Sequence, residues 1–305
     1  MYTFKIGMYL GELKVPLEEA LDVAAELEVR YIWYSEQAFG KPFLEMTDSE
    51  VDAAGSLFTQ RGMTLFLLAP GNCFKQVHLA DLDLETMEQH PEFCADMRQL
   101  DRQMEVAAQL GVPAVNSFTF AWPGEYTAGK PTWPMRRLTR GGLIADVDME
   151  KLVKGIGLMA ERAEHHGVDL ALSQMPWNYT NTTGNFRRIA EGVGSPRLRL
   201  MWGPADNYNS GEADVATAGF QNVRPYLYGL HLKDLRVNDP VRLDFDYCPI
   251  GEGDVDYPAL LRQVRDHECD VVLSLSTHFR PPGGDSVDAM RLNHANLTRM
   301  IADLD

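Results

Sequence analysis

The residues best suited to chemistry stand together in the segment LYGLHLKD, where an apolar run ends in His231, Lys233 and Asp234. An imidazole, an amine and a carboxylate at such short spacing supply a group that titrates near neutral pH, a cation and an anion. Buried strands of a parallel sheet otherwise read as continuous apolar runs, so polar residues crowded at a strand end indicate a site. We therefore expect functional residues at the ends of the other strands as well.

Short apolar segments alternate with amphipathic segments along the whole chain, and no break in composition divides it. Two of the amphipathic segments stop at Gly111 and Gly167, as helices with a glycine C-cap do. Eight strand–helix units in 305 residues predict one α/β domain over 1–305, a (β/α)8 TIM barrel. A doubly wound sheet is disfavoured because no GxGxxG motif follows the first strand. The predicted strands span 3–10, 29–36, 63–70, 113–120, 168–174, 198–204, 227–234 and 270–278.

Two long connections interrupt this alternation. Residues 121–147, which contain Trp122, Trp133 and several prolines, predict an ordered flap after the fourth strand. Residues 235–256 predict a second long loop after the seventh strand, and its PIGEG segment reads as a tight turn. Tryptophans beside amides and hydroxyls suit a sugar, a cyclitol or another polyhydroxylated ligand. The alternative, that these tryptophans only pack loops onto the barrel, stays open.

Several strand ends resemble those of the sugar phosphate isomerase/epimerase family, the xylose isomerase-like TIM barrels. The segments LALSQMP, LMWGPADN, GLHLKD, PIGEGDVDY and LSLSTHF carry the resemblance, which covers essentially the whole chain. It implies an enzyme that acts on sugars and holds one divalent metal ion through Glu, Asp, His and Glu at the ends of strands 5 to 8. In the family's epimerases the two glutamates also form the acid/base pair.

The sequence departs from this pattern at three of the four ligand positions, and only His231 remains. The three replacements are Ser173, Gly203 and Ser276. Hydroxyls and a glycine lack the negative charge that a hard divalent ion requires, so we predict no metal and no other cofactor. Loss of both glutamates also removes the two-base mechanism of the epimerases. Asp206 and Glu36 are the carboxylates that remain as candidates to restore a metal site.

Acid/base chemistry is still available at the predicted strand ends. His231 and His278 titrate in the useful range, and Lys233 or Arg280 is suited to bind a phosphate, carboxylate or enolate oxygen. The predicted catalytic residues are His231, His278, Lys233 and Glu36. The predicted substrate-binding residues are Trp122, Gln174, Trp177, Asp206, Asn207, Asn72, Asn116 and Arg280.

The sequence therefore predicts a diverged, metal-independent isomerase or lyase that acts on a sugar-like or polyhydroxylated cyclic small molecule. The alternative is a pseudoenzyme barrel that binds a ligand or partners an active homologue. In that case His231 is a remnant of a hydrogen-bond network, and the Lys233–Asp234 segment contributes an ion pair that closes the barrel rim. A homo-oligomer is compatible with either hypothesis.

Composition excludes several other classes. The net charge of −16 disfavours nucleic acid and anionic membrane surfaces as partners. An endonuclease is excluded because the chain has neither a cluster of metal ligands nor a basic track for DNA. No run approaches the ~18 apolar residues of a membrane helix. The first residues do not resemble a secretory signal, and the four cysteines are widely spaced, so we expect free thiols in the cytoplasm.

Overall fold

The computed structural model describes residues 2–35, 41–69, 74, 75, 77–122, 143–239 and 244–304. Eight parallel strands close into a barrel, which confirms the predicted (β/α)8 fold and all eight predicted strands. Around the barrel the strands follow one another in chain order, so the first and last barrel strands are neighbours. The barrel strands are β1 (Lys5–Tyr9), β2 (Tyr31–Ser35), β3 (Thr64–Ala69), β4 (Ala114–Ser117), β5 (Asp169–Ser173), β6 (Leu198–Trp202), β7 (Leu227–Leu232) and β10 (Val272–Leu275).

Helices surround the barrel and bury one apolar face each. Both α3 and α4 end at the predicted glycines, and Gly111 and Gly167 adopt left-handed backbone with φ of 67° and 72°. Nine α-helices lie in the described ranges: α1 (Leu17–Glu26), α2 (Asp48–Gln60), α3 (Pro91–Leu110), α4 (Asp146–His166), α5 (Thr183–Val193), α6 (Pro204–Asn209), α7 (Phe220–Val223), α8 (Tyr257–Asp266) and α9 (Ser286–Ala302).

The barrel interior combines small and bulky side chains. Ala114 and Ala171 lie in one buried cluster with the much larger Trp33 and Met201. At Gly7 a Cβ atom would lie 2.9 Å from the carbonyl oxygen of Tyr31, too close for any other residue. This alternation of small and large residues fills the barrel, so only its rim remains for binding and chemistry.

The connection predicted as a long loop over 235–256 contains regular structure. Strands β8 (Asp234–Asp239) and β9 (Asp244–Cys248) pair antiparallel, with Asp234 opposite Cys248. Most of the predicted flap, residues 123–142, lies outside the described residues, and its last two positions belong to α4. The described cysteines, Cys94, Cys248 and Cys269, are free thiols as predicted. No described helix is both long and apolar enough to cross a membrane.

Candidate active site at the carboxyl ends of the strands

A buried ion pair joins the end of β7 to the start of α6. The Nζ atom of Lys233 lies 2.8 Å from Oδ2 of Asp206, and each side chain is only 2% exposed. The angles are not those of a hydrogen bond, so the contact is mainly electrostatic. The ion-pair partner of Lys233 is thus Asp206. The sequence-based alternative, an ion pair between Lys233 and the adjacent Asp234, is wrong.

Asp234 anchors the glycine-rich turn instead. Its carboxylate accepts hydrogen bonds from the backbone N–H groups of Leu235 (2.9 Å), Gly251 (2.9 Å), Gly253 (3.1 Å) and Val255 (3.5 Å). Burial raises the pKa of Asp234, and these four donors oppose that rise. With its oxygens occupied in this way, Asp234 shapes the rim and does not orient a histidine.

His231 points into the barrel from β7 and is 9% exposed. Its ring packs edge to face against Trp33, with 5.0 Å between ring centroids. The Nε2 atom is buried without a hydrogen-bond partner. Burial, and after it the electrostatic interactions with Lys233 and His278, holds the pKa of His231 well below its ordinary value. The imidazole is therefore neutral at neutral pH, able to accept a hydrogen bond at one ring nitrogen and to donate one from the other.

His278 pairs with an acidic residue that the sequence analysis did not select. Its Nδ1 atom lies 3.4 Å from Oε2 of Glu12, in the 3-10 turn that follows β1. Burial alone would raise the pKa of Glu12, but the charge and hydrogen bond of His278, with Lys14 and Lys233, hold it below its ordinary value. The carboxylate is thus ionised and able to orient the imidazole. The rings of His278 and His231 are 6.4 Å apart and nearly perpendicular.

The ends of β4 and β5 are tied together by a buried amide. Asn116 donates from Nδ2 to the carbonyl oxygen of Ala171 (2.7 Å) and to Oγ of Ser173 (2.9 Å). The Nε2 atom of Gln174 donates to the carbonyl oxygens of Thr180 (2.9 Å) and Thr182 (3.1 Å), while its Oε1 is buried without a partner. Asn116 thus holds two strands together, and Gln174 keeps one oxygen available for a ligand.

Asn207 is enclosed in the wall of the barrel mouth. Its Oδ1 accepts from Nε1 of Trp202 (2.6 Å), and its Nδ2 donates to the carbonyl oxygen of Asn181 (2.7 Å). The residue is fully buried. Both the oxygen and the nitrogen of the Asn207 amide are engaged in these hydrogen bonds. The bonds would have to break before this side chain could bind substrate.

The tryptophans predicted to bind substrate lie together on one side of the mouth. Trp122 donates its backbone N–H to the carbonyl oxygen of Trp177 (2.9 Å), and its ring lies 4.0 Å from that of Tyr179. Trp177 is 1% exposed and contacts Phe118. Both rings therefore pack the loop after β5 onto the loop after β4.

Two serines on β10 and just beyond it contribute hydroxyls that have no partner. Ser274 pairs in register with His231, and the backbone N–H of Ser276 donates to the carbonyl oxygen of Leu232, next to Lys233. The Oγ atoms of both serines are buried without hydrogen bonds. Buried polar atoms in proteins are rarely left unpaired, so this wall indicates a place for water or for a ligand hydroxyl.

The structure brings part of the predicted site together. His231, Lys233, Asp206 and His278 share one end of the barrel, whereas Arg280 is exposed and donates to the carbonyl oxygen of Phe279. Glu36 and Asn72 lie outside the described residues. The residues that sequence reasoning missed are Glu12, Tyr9 and Trp33. The signal for Glu12 was available, since it lies two residues beyond the first predicted strand.

A (β/α)8 barrel with a polar cluster at the carboxyl ends of its strands is an enzyme-type scaffold, because those ends converge on one mouth. A family model described as a xylose isomerase-like TIM barrel matches residues 19–294. The chain therefore belongs to the xylose isomerase-like TIM barrel family. No curated protein matches the chain.

Solved structures share the fold at low sequence identity. The IolI protein with a bound zinc atom superposes with a TM-score of 0.73 at 16% identity, covering 99% of both chains. L-ribulose 3-epimerase gives 0.72 at 13% identity, covering 99% of this chain and 96% of that one. A probable 3-DHS dehydratase, AsbF from Bacillus anthracis, gives 0.69 at 15% identity, covering 97% and 99%. At these identities the likeness establishes the fold alone.

The residues at the mouth do not fit the divalent metal ion that the family resemblance implies. In the ranges described, no three His, Cys, Asp or Glu side chains are grouped so that they could hold a metal ion. The carboxylate of Asp206 is already neutralised by an ammonium group at 2.8 Å. A hard divalent cation prefers several oxygen ligands that are not already paired with another charge. At this mouth the carboxylate of Asp206 is a candidate ligand, but it is already paired with Lys233.

Proposed function

We propose that this protein is a sugar-modifying enzyme of the isomerase or lyase type. Its substrate is a sugar-like or polyhydroxylated cyclic small molecule that carries a carbonyl group. His278 and His231 do the acid/base work, and no divalent metal takes part. The observation that carries the proposal is the pair of His278 and Glu12 beside the buried, neutral His231.

The Glu12–His278 pair supplies an oriented base. A carboxylate 3.4 Å from Nδ1 favours the tautomer that carries its proton there, which leaves Nε2 to take a proton from carbon. The depressed pKa of Glu12 keeps it ionised, which also stabilises the imidazolium that forms. His278 is the more exposed of the two histidines, with 22% of its side chain accessible, so it is open to a ligand.

The proton then has two destinations. In an isomerisation, the imidazolium of His278 returns it to the neighbouring carbon of the enediol formed from the substrate. In an elimination, the proton goes to a hydroxyl group that departs as water. His231, neutral and partnerless at Nε2, is suited to exchange a proton with a substrate oxygen in either reaction.

Aromatic rings flank the histidines and offer flat apolar surface. Tyr9 packs on Trp33 with 4.5 Å between centroids, and Tyr247 from the hairpin packs on His278 at 4.8 Å. Such rings suit the C–H face of a sugar, while the unpaired hydroxyls of Ser274 and Ser276 suit its OH groups. The mouth thus offers both kinds of surface that a polyhydroxylated ring presents.

The test is proton exchange with solvent. Protein treated with a chelator is incubated in deuterium oxide with a panel of ketoses and keto-cyclitols, and loss of C–H signal and new products are followed by NMR. We expect exchange at the carbon next to the carbonyl, and a loss of at least about 100-fold in the double variant His231→Gln, His278→Gln. His165→Gln, an exposed substitution on α4, is the matched control and should leave the rate unchanged.

Unchanged exchange in the double histidine variant would refute the proposed chemistry. Saturable binding of a panel member without exchange or product would instead favour the pseudoenzyme alternative. Exchange that appears only when a metal ion is added back would refute metal independence.

A further inference from the structure

One buried cation lies at the barrel mouth. Lys233 carries its ammonium group inside the barrel wall, where an unpaired charge is very costly, and Asp206 neutralises it at 2.8 Å. We propose that this ammonium is the resident cation of the site. It takes the electrostatic place of the divalent ion implied by the family resemblance, and it faces the negatively charged oxygen of the substrate during reaction. The catalytic part of this inference rests on the proposed function.

Gly203 is what admits the carboxylate of Asp206. A Cβ atom at position 203 would collide with Oδ2 of Asp206, the same atom that contacts Lys233. Position 203 is also where the resemblance implies the strand-6 metal ligand. An aspartate there and the present Lys233–Asp206 pair are therefore mutually exclusive without rearrangement. Because Gly203 has no side chain, the space beside it is open to the carboxylate of Asp206, which pairs there with Lys233.

The backbone on both sides of Lys233 is held in place. Its own carbonyl oxygen accepts from the hydroxyl of Tyr257, which is fully buried. The next residue, Asp234, is fixed by the glycine-rich turn through Gly251 and Gly253. The Lys233 ammonium is attached to a fixed backbone and paired with Asp206. It therefore needs little reorganisation when negative charge develops on a substrate oxygen.

The charge of Lys233 reaches the acid/base groups. It contributes to the lowered pKa of both His231 and Glu12, which places it electrostatically among the residues proposed to move protons. An ammonium group carries one positive charge and stabilises an anion by charge and hydrogen bonding, whereas a divalent ion is a Lewis acid that coordinates oxygen directly. The ammonium suits a single enolate or alkoxide oxygen rather than the chelation of two substrate oxygens.

The first test measures metal binding and does not depend on turnover. Chelator-treated protein is titrated with Mn²⁺ by calorimetry, in the unmodified form and as Lys233→Met. The unmodified protein should show no binding at the mouth. The variant leaves the buried carboxylate of Asp206 without the ammonium group at 2.8 Å, so we expect its affinity for Mn²⁺ to rise at least tenfold. Adding Asp206→Asn to the Lys233→Met variant should abolish this gain in Mn²⁺ affinity.

Two further variants serve as controls. Lys41→Met breaks an exposed ion pair with Glu50, and it should gain no affinity for Mn²⁺. Lys233→Arg keeps a cation and should also gain none. If Lys233→Met does not fold, Lys233→Gln removes the charge while keeping a polar side chain, and it carries the same expectation.

Stoichiometric Mn²⁺ binding by the unmodified protein that Asp206→Asn abolishes would overturn the inference. A folded Lys233→Met variant without any gain would do the same. Formation of a borohydride-reducible adduct between Lys233 and a ketose would also contradict it, because the amine would then act as a nucleophile. These results are separate from those of the histidine variants, so each proposal can fail by itself.

Discussion

The Nδ1 atom of His278 lies 3.4 Å from Oε2 of Glu12, although one residue stands near the start of the chain and the other near its end. They meet because β1 and β10 pair in parallel and close the barrel, with Met8 opposite Leu275. Closure thus builds a carboxylate–imidazole pair from two segments that share no local motif. Both side chains then lie at the carboxyl ends of their strands, where a barrel enzyme carries out its chemistry.

Replacing Glu12 with Gln should weaken both proton transfer and acid-dependent stability. Solvent exchange should fall at least about tenfold, since the amide cannot stabilise an imidazolium. The pKa of Glu12 is lower in the folded chain than its ordinary 4.5, so its contribution to stability is present above pH 4.5 and lost as pH falls. Urea unfolding of both proteins between pH 3 and 7 checks this. The stability difference should shrink at acid pH, and a constant difference would contradict the pairing.

Replacing Gly203 with Ala should destabilise the protein by about 2 kcal/mol, because the new Cβ displaces the carboxylate of Asp206. Gly157→Ala is the matched control. It adds a methyl group to α4 where nothing lies within 4 Å, and it should stabilise by about 0.5–1 kcal/mol. Denaturant midpoints measure both effects. Equal, small effects at the two positions would show that Asp206 adapts freely.

Replacing Asp234 with Asn should loosen the turn after β9. An amide offers one acceptor oxygen where the carboxylate offers two, so about half of its backbone bonds are lost, at a cost of about 2–3 kcal/mol. Hydrogen exchange at Gly251 and Gly253 should accelerate while the barrel strands stay protected. Asp266→Asn, at an exposed ion pair, serves as the control. Unchanged protection of both glycines would contradict the anchoring role.

Asp96 should make the protein less stable as pH rises. Burial raises its pKa from 3.8 to about 6, despite the hydrogen bond that its Oδ2 accepts from the backbone N–H of Phe74 at 2.6 Å. Between these two pH values the folded chain holds a proton that the unfolded chain has lost, so unfolding becomes easier with increasing pH. Asp96→Asn can still accept that bond, and it should gain about 2 kcal/mol relative to the unmodified protein between pH 3.5 and 7.

Unfolding curves at several pH values test this sign. The exposed substitution Asp22→Asn should show no comparable pH dependence. A gain for Asp96→Asn at pH 3.5 as large as that at pH 7 would show that the carboxyl group does not titrate differently in the folded chain.

The sequence by itself was sufficient for the architecture. The alternation of apolar and amphipathic segments predicted all eight barrel strands, and Gly111 and Gly167 marked two helix ends. It also placed His231 and Lys233 at the end of β7, because local periodicity determines which residues belong to a strand and which follow it. The hairpin over Asp234–Cys248 escaped prediction because its strands are largely polar rather than apolar runs.

Only the tertiary structure decided which of these polar groups meet. Lys233 pairs with Asp206 of α6, which follows the neighbouring strand β6, rather than with its sequence neighbour Asp234. The amides of Asn116 and Asn207 bind backbone and tryptophan partners. Glu12 joins the site through barrel closure. The physical reason is that spacing along a strand selects the face a side chain occupies, whereas strand register and barrel closure set the distances across the mouth.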